Sequence, residues 1–145
     1  MRLADYTKRL LGLAETLHRW IGALSALDRT RRAKVARYAE QIAATLARAA
    51  DALLRLEADP RDGASARQAA RELGRIAGYV ETIVEVLAHH LDGRKLAGVK
   101  RRLEQLGMNG LDAGAPAPAA GRRIDRLVAS EGYFRALADA LRASS

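Results

Sequence analysis

The sequence predicts an all-α protein, an antiparallel up-down helical bundle of four to five helices: three long, one short and one C-terminal. Three observations carry that prediction. Apolar residues recur at steps of three and four over long stretches, which gathers them on one helical face. No segment alternates with the period of two that a half-buried strand requires. Proline, aspartate and paired loop glycines fall where the periodicity stops.

The first helix follows from Leu3, Tyr6, Leu10, Leu13, Leu17, Trp20, Leu24 and Leu27, an unbroken heptad stripe. Asp28 is placed to cap the next helix by accepting an amide hydrogen bond from its first turn. That second helix presents Val35, Ala39, Ile42, Leu46, Ala49, Leu53 and Leu56. Asp59-Pro60-Arg61-Asp62-Gly63 is a turn that no helix crosses unbroken. Ser65-Ala66-Arg67-Gln68 fits a capping box at the start of a third helix, which carries Ala66, Ala69, Leu73, Ile76, Val80, Ile83 and Leu87. Asp92-Gly93 interrupts or ends it. A shorter helix over 94–106 shows Leu96, Val99, Leu103 and Leu106, with Gly107 as its C-terminal cap. The last, over about 122–142, uses Ile124, Leu127, Phe134, Leu137 and Leu141, with a break expected at Gly132.

Short connections make consecutive long helices run antiparallel, so the expected core is the first three helices, completed by the other two. At 145 residues the chain is one domain, with 49% apolar residues and 4% aromatics, so the core is aliphatic. Its expected division is a helical-bundle core at 1–107, a flexible Gly/Pro/Ala connection at 108–120 and a C-terminal helix at 121–145 packing on the same domain. No cysteine means no disulfide and no thiolate chemistry. No apolar run reaches the roughly 18 residues of a membrane span, so the expectation is a cytoplasmic protein that does not enter membranes.

Candidate catalytic material is thin. Glu81, Glu85 and His89 step by four along the third helix, but both glutamates fall outside the apolar stripe, where a closed ligand set does not form. No glycine-rich phosphate loop precedes a helix, and no serine sits in a strand-to-helix elbow. The expectation is no enzyme, no cofactor and no metal. Ala88-His89-His90-Leu91-Asp92-Gly93 resembles the signature of histidine phosphotransfer domains, which reads roughly A-H-x-L-K-G. The resemblance implies a signalling bundle with His89 as the phospho-accepting residue, and it is the alternative function. Asp92 stands where that signature has lysine, and an acid beside a phosphoryl group is repulsive.

Charge is the most informative feature. The net charge is +8, and only Lys8, Lys34, Lys95 and Lys100 among the 25 basic residues are lysine. Arg29, Arg31, Arg32, Lys34 and Arg37 crowd the first turns of the second helix with no acid among them. Positive charge there opposes the helix dipole, so local helix stability does not ask for it. Arg94, Lys95, Lys100, Arg101 and Arg102 form a second acid-free run, which up-down topology brings to the same end of the bundle. The two clusters suit nucleic-acid backbone or an acidic protein partner. The expected function is that of a non-enzymatic adaptor or accessory protein using this basic end. Aromatics look too few for a base-stacking platform. Gly74 and Gly78, one turn apart and off the apolar stripe, form a groove for a further helix of the bundle. The alternative is a docked partner helix or a homo-oligomer.

Overall fold

The computed structural model describes residues 3–87, 94, 97, 101 and 120–143. These are all-α, with no strand among them. In chain order the helices are α1 (Leu3–Arg19), α2 (Ile21–Ser25), α3 (Arg29–Ala58), α4 (Gly63–Leu87) and α5 (Ala120–Ala143). Arg94, Ala97 and Arg101 are helical and exposed, while the rest of the expected short helix and the connection at 108–119 lie outside the described residues.

The long first stripe is bent. α1 stops at Arg19, and Trp20 sits at φ −94°, ψ 15°, between helical and extended backbone. Its amide donates to the Leu17 carbonyl at 3.1 Å, a three-residue link that tightens the last turn. One turn earlier the Thr16 hydroxyl donates back to the Gly12 carbonyl at 2.7 Å, an arrangement that bends helices. Gly22 just beyond further weakens continuation. The bend has a packing reason: α2 folds over α5, which buries Leu24 and Leu27 and leaves Trp20 half-exposed.

α3 is the backbone of the molecule. It has no glycine or proline across 30 residues, and it packs along α4 on one side and α5 on the other. Val35, Ala39, Ile42, Leu46 and Ala49 on it are fully buried, and the small alanines let two neighbours approach closely. Asp59 ends α3 in extended backbone, its amide still bound to the Arg55 carbonyl, and its carboxylate accepts from the Arg61 amide at 3.1 Å. α4 starts two residues before the expected capping serine. Asp62 is the cap, accepting from the Ser65 amide at 3.0 Å and from its hydroxyl at 2.6 Å. Ser65 thus lies inside the first turn, and Gln68 bonds to Arg55 instead of closing a box. A carboxylate outcompetes a hydroxyl for orphan amides because its bonds are charge-assisted.

The C-terminal helix, whose place in the bundle its sequence left open, packs against two of the long helices. α5 packs along both α3 and α1, so a core of the first three long helices alone is not what forms. Arg142 near its end pairs with Glu40 in the first half of α3, which with packing along its length sets the two antiparallel. Two faces of α5 are therefore covered, through Ile124, Leu127, Phe134, Leu137, Ala138 and Leu141. His18 at the end of α1 meets Tyr133 edge to face at 5.2 Å. α5 also runs unbroken through Gly132, because a single exposed glycine costs only about 1 kcal/mol and Tyr133 and Phe134 beside it are docked.

Candidate functional site

The expected basic cluster at the start of α3 divides by role. Asp28 caps α3, accepting from the Arg31 amide at 3.3 Å, and its other oxygen holds the Arg31 guanidinium at 2.7 Å. Those bonds keep the Asp28 carboxyl below its ordinary range. Arg32 reaches back to the Ser25 and Leu27 carbonyls at 3.3 and 3.1 Å. These are carbonyls that α2 leaves without helical partners as the chain turns. Arg31 thus supports the cap of its own helix, and Arg32 the corner between α2 and α3.

Arg29, Lys34 and Arg37 remain. All three are exposed, and none has an ion-pair partner among the described residues. Arg37 lies over the Tyr38 ring at 5.3 Å. Lys34 lines an open groove of about 440 Å³ with Asp28, Thr30 and Arg31 from the corner and Glu85 and Val86 from α4. The end of α4 therefore stands beside the start of α3, as antiparallel packing requires, and brings an acid that the local sequence of the cluster does not contain. Of the second cluster, Arg94 and Arg101 are exposed; Lys95, Lys100 and Arg102 lie outside the described residues.

A feature that no stretch of sequence displays emerges along the α3/α4 seam. Residues 34, 38, 41, 45, 48, 52 and 55 make one stripe of α3, and residues 68, 72, 75, 79, 82 and 86 one stripe of α4, each stepping by three and four. The two stripes meet at several levels. Tyr38 and Tyr79 pack at 5.9 Å between ring centroids, tilted by 48°. Arg48 Nε bonds Glu72 at 3.1 Å, with Arg75 3.9 Å from the same carboxylate oxygen. Arg48 also donates to the Thr45 hydroxyl at 3.1 Å. Arg55 closes the far end, donating to Ser65 at 3.3 Å and Gln68 at 2.9 Å. The Glu72 side chain is only 8% exposed, whereas Arg48 and Arg75 are 44% and 51% exposed, so the surface of that trio is cationic. Each tyrosine reads in sequence as an isolated aromatic; only the register between helices pairs them.

Glu81 and Glu85 are exposed, as their position outside the stripe implies, and no group of three metal-ligating side chains exists among the described residues. His89, His90 and Asp92 of the phosphotransfer-like motif lie outside those residues. Gly74 and Gly78 are exposed, and no described atom stands within 4 Å of where a side chain would begin at either position. No described helix is long and apolar enough to cross a membrane.

What fold and site define together is a helical bundle with a cationic, tyrosine-bearing seam. Comparison with family models, curated proteins and solved structures finds no match to this chain.

Proposed function

We propose that the protein is a non-enzymatic accessory protein that holds nucleic acid by its phosphate backbone, using the exposed cations at the start of α3. The observation that carries this reading is the division within the cluster. Arg31 pairs with the Asp28 cap and Arg32 serves the corner, whereas Arg29, Lys34 and Arg37 make no ion pair among the described residues, and Arg29 in the first turn opposes the dipole of its helix. Cations kept at a helix N-terminus against its dipole find their compensation in an anion outside the helix. Arg29 and Lys34 are free to reach a phosphate, and Arg37 carries its planar fork beside an aromatic ring. The net charge of +8 adds long-range attraction for a polyanion. Nothing in such binding depends on base identity, so it is independent of sequence.

The test is a salt titration of labelled DNA binding by the wild type and by a variant carrying Arg29→Gln, Lys34→Gln and Arg37→Gln. Helicity should be unchanged, because none of the three makes a bond on which the corner depends. Affinity should fall, and the slope of log affinity against log salt should shrink by about one for each phosphate no longer neutralised. Equal binding by both proteins at every salt concentration sinks the proposal. Competition by polyglutamate as effective as that by DNA transfers the site to an acidic protein partner.

A further inference from the structure

We infer that the α3/α4 seam is a track for single-stranded nucleic acid, with Tyr38 and Tyr79 as its base-stacking point. The inference rests on the backbone-binding reading above and names its substrate class.

Charge complementarity selects a polyanion. Lys34, Arg37, Arg75, Arg48 and Arg55 follow one another along a single flank of the bundle. From Lys34 to Arg55 the track spans about 32 Å, at about 1.5 Å per helical residue. Two of the acids near it are already engaged, while Glu85 at one end and Asp51, one turn from both Arg48 and Arg55, are exposed. Asp28 is bonded to Arg31, and Glu72 is buried beneath Arg48 and Arg75. A straight row of cations on a narrow seam fits a chain that can lie extended within it.

The tyrosine pair distinguishes one strand from two. Tyr38 and Tyr79 are half-buried, each with one side on the core and the remainder open to solvent. No hydrogen bond engages either phenol among the described residues, so both hydroxyls can reach a phosphate or a base edge. In a duplex the base faces are stacked on one another and cannot meet a tyrosine; in a single strand they can. Stacking on aromatics tolerates any base, in keeping with sequence-independent binding of the backbone. Arg37 lies over the Tyr38 ring, so a base that stacks on that face displaces the guanidinium, which is then placed to meet the phosphate.

The experiment compares a fluorescent single strand of roughly 16 nucleotides with the duplex of the same length, using the full chain. Tyr38→Leu and Tyr79→Leu keep the apolar packing on the core and remove the aromatic face, and circular dichroism confirms that they fold. The wild type should prefer the single strand. Each tyrosine variant should bind the single strand about tenfold more weakly with its salt slope unchanged, and bind duplex as the wild type does. Arg55→Gln, at the far end, should lower the salt slope for the single strand only. Equal affinity for both strand forms with no response to the tyrosines overturns the track and leaves backbone binding at the start of α3 intact. Failure to bind either form at low salt overturns both.

Discussion

α3 has two flanks, and they are held in different ways. Toward α4 it is bound by directional interactions at several levels: Tyr38 on Tyr79, Arg48 on Glu72, Arg55 on Ser65 and Gln68. Toward α5 it is joined by the exposed Glu40–Arg142 pair and by burial of side chains such as Phe134 and Leu137. Leu54 and Val128, at 51% and 53% exposure, stand at equal steps from that pair in opposite chain directions, so they share one level of the bundle. The difference concerns register. Hydrogen bonds with fixed partners allow one offset between helices, whereas apolar burial tolerates small slides. The seam that carries the candidate site is the one whose offset is fixed.

The largest expected effect comes from breaking that seam at its buried acid. Arg48→Ala strips Glu72 of its shortest ion pair and leaves a nearly buried carboxylate with Arg75 alone. Breaking a fully buried pair costs more, but solvent reaches Arg48, so the expected destabilisation is about 2 kcal/mol in urea denaturation. Arg48→Ala combined with Glu72→Leu should recover most of it; no recovery means that the carboxylate is not the cause.

Next comes Ser65, buried between Asp62 and Arg55. Ser65→Ala should cost about 1 kcal/mol and leave α4 helical, since Asp62 still accepts from the residue 65 amide. An unchanged midpoint would show that the hydroxyl contributes nothing to the seam.

The smallest effect belongs to the other flank. The Arg142 hydrogen bond holds the Glu40 carboxyl below its ordinary range, and Arg31 and Ser65 do the same for Asp28 and Asp62. A depressed carboxylate stabilises the fold fully above its unfolded value, and that contribution is lost as the pH falls through the folded one. Stability should therefore be flat near neutrality and decline below the ordinary carboxylate range. Glu40→Gln should remove only a slight part of that decline, and added salt should mask the difference because both partners face solvent. A large, salt-resistant change on Glu40→Gln would make the two flanks alike.

By itself the sequence determined the helical class, the Asp28 cap, the turn after Ala58 and most large core positions, because these depend on neighbours within a few residues. It did not mark the second buried face of α3 at Ala36, Ala43 and Ala50. Leu10, Leu13, Leu17, Ile42, Leu46, Ile76 and Ile83 are all buried, as their spacing requires. Local reasoning also isolated the cations at the start of α3. It could not divide them, since Arg32 answers to carbonyls across a corner that exists only because the chain bends at Trp20. Nor could it place α5 against both α1 and α3, because an apolar stripe states that a face is buried and not what covers it. The tyrosine pair and the Arg48–Glu72 bond belong wholly to tertiary structure. Their partners are distant in the chain, and the offset between two helices is set by how side chains interlock along the whole seam.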